Sequence, residues 1–139
     1  TFVIRGNGTY TIMPGGTGSI TSGVTVGGQS AGTAKINIPQ SVSFTVSVPT
    51  FKAGSQIKLT FAGGGVPSKE MTAASILFEG KAGISNATGT MSVGNPTLGN
   101  IKVTNPAGTG RIAIGARILF DANQAIGTYQ GTYILRMTL

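Results

Sequence analysis

Strict alternation of apolar and polar residues constrains this chain more than any other feature. Along Ser41–Val48, the side chains of Val42, Phe44, Val46 and Val48 fall on one face of an extended chain, and those of Ser41, Ser43, Thr45 and Ser47 on the other. A helix would scatter these two sets around its axis, whereas a strand, whose side chains point alternately up and down, separates them cleanly. The same period recurs in Ile57, Leu59 and Phe61, and in Ile112, Ile114, Ala116, Ile118 and Phe120. No window of about 11 residues places apolar side chains at helical spacing. The chain is therefore read as all-β.

The alternation predicts strands over Ser19–Val26, Thr33–Ile38, Ser41–Val48, Ser55–Ala62, Ser75–Glu79, Ala87–Val93, Asn100–Thr104, Arg111–Phe120 and Gly127–Leu139. Between them stand turn formers: Gly63-Gly64-Gly65, Gly94-Asn95-Pro96 and Asn105-Pro106-Ala107-Gly108. Pro39 and Pro49 close the two ends of the Ser41–Val48 run, because proline donates nothing to a strand ladder. Many strands, each with one apolar face, are satisfied by stacking two sheets face to face as a β-sandwich. The one expected helical turn lies near Ser68–Ala74.

What the chain lacks narrows its chemistry. It has no Cys and no His, so thiolate nucleophiles, imidazole bases and the usual zinc and copper ligands are excluded. Its three acids, Glu70, Glu79 and Asp121, stand in no recognisable catalytic motif. The expectation is a protein that is not an enzyme, with no cofactor, no metal and no small-molecule substrate. Disorder is excluded as well, since only 9% of the residues are charged and β-branched residues are abundant.

Ten Lys and Arg against three acids give a formal net charge of +7. The basic residues are spread singly, from Arg5 and Lys35 to Arg117 and Arg136, with no basic run interleaved with aromatic residues. This distribution describes solvated strand faces, not a nucleic-acid platform. No stretch approaches the roughly 18 apolar residues of a membrane helix. A sequence opening on Thr1 within a strand-like segment leads us to expect a secreted product whose signal peptide has been removed.

The two ends carry the most informative patterns. Phe2, Ile4, Gly6, Gly8, Tyr10 and Ile12 share one face of a first strand, which stops at Pro14 before Gly15-Gly16-Thr17-Gly18. Such a flexible connector would let this strand leave its own domain; alternatively it is an ordinary first strand whose glycines permit a bulge. At the other end Tyr129, Gly131, Tyr133, Leu135, Met137 and Leu139 share a face up to the last residue. An apolar strand there needs a partner along its outer side.

The segment from Asp121 to Tyr133, Asp-Ala-Asn-Gln-Ala-Ile-Gly-Thr-Tyr-Gln-Gly-Thr-Tyr, preceded by the alternating strand, resembles the C-terminal signature of secreted bacterial pilin-like domains akin to archaic chaperone–usher pilins. The resemblance covers roughly the last 40 residues. It implies an immunoglobulin-like sandwich that is incomplete in the monomer, its missing strand supplied first by a periplasmic chaperone and then by the donated N-terminal strand of the next subunit. On this reading residues 1–14 are the donor strand and 15–139 the sandwich domain. Phe2, Ile4, Tyr10 and Ile12 would fill pockets, Gly6 or Gly8 would supply the small residue of the row, and Tyr129, Tyr133, Leu135, Met137 and Leu139 would line the groove and the chaperone edge.

The implied function is that of a structural subunit of a pilus or fimbria on the bacterial surface, joined head to tail by donor-strand exchange and serving adhesion or biofilm. Implied partners are identical subunits, a chaperone and an outer-membrane usher, and not nucleic acid. The disulfide of many pilins is missing here, so stability must come from packing and strand pairing. The alternatives are a non-polymerising surface or matrix β-sandwich, or a viral jelly-roll capsid protein, although the N-terminal segment has a single charge, Arg5, where a capsid arm would be basic. A carbohydrate-binding module with aromatic platforms is disfavoured, because Trp is absent and the six Phe and three Tyr mostly fall in inward phase.

Overall fold

The structure is a computed structural model and describes residues 2–4, 8–16, 18–20, 24–26, 31–61, 70–85, 88–120 and 128–139. Two long strands form its spine: β8 (Met71–Gly80) and β12 (Thr109–Phe120), paired antiparallel. Each is served along its other edge by two shorter strands in tandem. On β8 these are β7 (Ile57–Phe61) and β10 (Thr88–Ser92); on β12 they are β5 (Gly32–Asn37) and β2 (Gly8–Ile12). The sheet extends through β3 (Gly18–Ile20) beyond β2, and through β13 (Tyr129–Gln130) beyond β7.

A second sheet runs in the order β14 (Arg136–Thr138), β6 (Ser43–Ser47), β11 (Thr97–Val103), β9 (Ile84–Ser85). A third, small ladder joins β1 (Phe2–Ile4) to β4 (Val24–Val26). Every pairing is antiparallel, and the architecture is all-β and sandwich-like. Alternation explains it: Phe44 and Val46 of β6, Ile76 and Phe78 of β8, Met91 of β10, Ile101 and Val103 of β11 and Ile112 of β12 all bury against one another. A smaller cluster of Tyr10, Met71, Ile118 and Phe120 occupies the other end of β12.

The helical turn falls elsewhere than expected. Residues 62–69 lie outside the described residues, and Met71–Ala74 belongs to β8. Among the described residues the single helical turn is α1 (Pro49–Lys52), started by Pro49 at its first position, where the fixed φ of proline suits a helix and its missing N–H costs nothing. Phe51 anchors it in the core.

Where the phase of the alternation breaks, a bulge is responsible. Arg117 pairs with Ser75 but Ile118 pairs with Ala73, so Ala74 is an extra residue in β8. Met71 and Ala73 on one side of it, and Ile76 and Phe78 on the other, all remain inward, and Ser75 takes the opposite phase while staying buried. A second irregularity between Leu98 and Ile101 places Asn100 at φ 59°, a left-handed conformation that Asn tolerates better than most residues.

Burial of Tyr10 has a pH consequence. Desolvation pushes its phenol above the usual tyrosine range, near 10. A folded-state value above the unfolded one means the stabilisation is complete below pH ~10 and is lost as pH rises beyond it, where the unfolded chain ionises first. Tyr10→Phe is therefore expected to flatten the loss of melting temperature between about pH 8 and pH 11. Equal losses in the two proteins would contradict this.

Candidate functional site

The two ends of the chain come together in part: Tyr129 packs against the same small cluster as Tyr10 and Ile12, while β14 lies in the other sheet. Residues expected to form one long N-terminal strand are divided between β1 and β2, with 5–7, and so Gly6, outside the described residues. Phe2 and Ile4 belong to β1, opposite Val26 and Val24. β2 lies between β12 and β3 of its own chain, with Gly8 opposite Phe120, Tyr10 opposite Ile118 and Ile12 opposite Ala116. Tyr10 is 1% exposed within the smaller cluster, and Ile12 is half-buried against it. In the isolated chain the second half of this segment, β2, docks along the edge of β12 in its own body. Gly115 permits the close fit, since a Cβ at that position would fall on the carbonyl of Ile12.

The C-terminal segment splits as well. Tyr129 in β13 pairs with Phe61 at the rim of the large sheet, and the chain then crosses to the other sheet to form β14. Gly131 packs where a Cβ would strike the Lys58 carbonyl. An open depression of about 670 Å³ lies along this rim, lined by Leu59, Thr60, Tyr129, Gln130, Gly131 and Thr132.

Of the residues assigned to the core-facing groove wall, Leu135 packs against the main core, but Tyr133, Met137 and Leu139 are exposed. The reason is positional. Met137 sits directly opposite Val46, whose side chain is fully buried, so it has the inward phase. Yet among the described residues β14 is the last strand of its sheet, and Met137 is 43% and Leu139 77% exposed. Ile134, which the alternation placed on the opposite face, is 66% exposed. An edge strand with bare backbone groups and uncovered apolar side chains is a template for another strand.

Charge does not organise this edge. Lys58–Glu70 at 3.3 Å and Lys81–Glu79 at 2.8 Å are surface pairs, each worth at most about 1 kcal/mol. Among the described residues no three of Asp, Glu, His and Cys are grouped to hold a metal, and no helix is long and apolar enough to cross a membrane. Compared with protein families, with curated proteins and with solved structures, the chain matches none.

Proposed function

We propose that the chain is a non-catalytic structural subunit of an extracellular bacterial filament, a pilus or fimbria serving adhesion or biofilm. In this reading the sandwich is immunoglobulin-like, and the free edge of β14 accepts the N-terminal strand of a neighbouring copy. The carrying observation is that edge: Met137 has the inward phase opposite Val46 and remains uncovered. A donated strand would pair with the bare backbone of β14 and cover Met137 and Leu139, which is strand addition used as a joint. Donor and acceptor lie at different places on the subunit, so the contact repeats head to tail. A chaperone would hold the same edge before assembly, and an outer-membrane usher would be a further partner.

Donation requires β2 to leave β12. Each large apolar side chain withdrawn from the core costs about 1.5–3 kcal/mol, which burial in the neighbour must offset. Pro14, Gly15 and Gly16 form the turn after β2, with Gly16 at φ 83°, where the chain can re-orient without side-chain obstruction. The burial of Tyr10 in its own chain favours a second reading, a surface or matrix sandwich that does not polymerise.

Deleting residues 1–13 separates the two. A filament subunit without its donor keeps its acceptor edge, so adding it to intact chain is expected to shorten fibres seen by negative-stain microscopy in proportion to its share. Fibres of unchanged length, or an intact chain that stays monomeric at every concentration, would exclude strand exchange.

A further inference from the structure

One row of side chains crosses five strands on the outward face of the large sheet. Register places Ser92 of β10 opposite Ser75 of β8, Ser75 opposite Arg117 of β12, Arg117 opposite Thr11 of β2, and Thr11 opposite Ser19 of β3. Directly paired residues share a face, so one guanidinium stands in a line of four hydroxyls. The opposite face carries the core residues Ile76 and Ile118. The bulge at Ala74 is what brings Ser75 into this row, and bulges commonly re-aim a side chain beside a site.

Three observations mark the row as more than solvated surface. Among the described residues no acid pairs with Arg117, which is exposed. Thr9, Thr11, Ser19 and Arg117 line an open depression of about 330 Å³. Ser75 is only 4% exposed, and its Oγ is a buried polar atom with no hydrogen-bond partner. Buried hydroxyls are nearly always satisfied, and an orphan beside an unpaired cation calls for a group that is not part of the chain.

We propose that this row binds an acidic saccharide, with Arg117 holding the carboxylate, the hydroxyls of Thr11 and Ser19 beside it in the depression meeting the alcohols of the sugar, and Ser75 behind them supporting Arg117. The planar guanidinium presents paired N–H donors that match a carboxylate. Ser and Thr hydroxyls both donate and accept, as sugar alcohols do. The single cation suits a singly charged carboxylate, where a doubly charged phosphate would call for more positive charge. Leu119, 38% exposed on the same face and opposite Thr9, offers an apolar rest for the C–H side of a ring. The lack of aromatic platforms, which disfavours a carbohydrate-binding module of that kind, does not bear on such a site, because recognition here is polar. The inference is independent of whether the chain polymerises.

The test is an amide NMR titration of the full chain with a galacturonic-acid trisaccharide at about 0.15 M ionic strength, beside a neutral galactose trisaccharide and a triglutamate peptide. Expected are saturable shifts at residues 9–11, 75 and 117 with the acidic sugar alone. Arg117→Gln should weaken binding about tenfold or more, and Ser75→Ala by a smaller factor with the remaining spectrum unchanged. Arg111→Gln, on the same face but outside the row, should leave binding as it is. Absence of saturable shifts, triglutamate binding as tightly as the sugar, or Arg111→Gln weakening binding as much as Arg117→Gln would each overturn the assignment.

Discussion

Replacing Gly115 by Val is expected to lower the unfolding free energy by about 3 kcal/mol and to release the N-terminal strand. The added Cβ would occupy the place of the Ile12 carbonyl, with further backbone atoms of Ile12 and Met13 around it. Backbone cannot yield as a flexible side chain can, so either β2 separates from β12 or β12 bends. Overpacking of this kind costs about 1–3 kcal/mol and occasionally more. Losing β2 would also uncover Tyr10 and its neighbours Met71, Ile118 and Phe120. Gly32→Ala is the control, since a Cβ there meets nothing nearer than the Ile114 carbonyl at 3.8 Å. Urea unfolding decides it: similar midpoints for the two variants would show that β2 does not lie against Gly115.

Phe78→Ala should destabilise by about 3–5 kcal/mol. Phe78 is fully buried, lies opposite Ile114 on one side and Gly89 on the other, and belongs to the main cluster. Truncation leaves a cavity that neighbouring strands, held in register by their ladders, cannot close. Against a typical total of about 5–15 kcal/mol this is a large share, and the melting temperature should fall on the order of 10 °C. Val93→Ala, at a 39% exposed position, should change the stability by under about 1 kcal/mol. A similar loss for both would contradict the packing described.

The strands of the core were legible because their alternation is uninterrupted. Ser43–Ser47, Ile57–Phe61 and Thr109–Phe120 fall within one or two residues of the runs read from the sequence. Three kinds of feature were not. β9 is only two residues long, too short to carry a period. The first and last long runs each divide into two strands belonging to different ladders, because alternation records which face a residue takes and not which neighbour it pairs with. For the same reason Met137 could be assigned an inward phase but not its exposure, which depends on β14 being last in its sheet.

The Arg117 row was invisible for a further reason. Ser19, Ser75, Ser92, Thr11 and Arg117 come from five segments, and only register aligns them. Ser75 in particular reaches its face through a one-residue slip at Ala74 that leaves no compositional mark.

The pairing of β2 with β12 also sets a timetable. Tyr10 and Ile118 face each other across a ladder whose strands are more than a hundred residues apart in the chain. At about 5–20 residues per second, a ribosome needs on the order of ten seconds to make the second strand after the first. Contacts between distant segments also form slowly once both exist, because the intervening loop must first be closed. β2 therefore waits for its β12 partner long after it has been made. For that interval Tyr10 and Ile12 are accessible to any other molecule with an open strand edge, and the speed of folding determines how long that competition lasts.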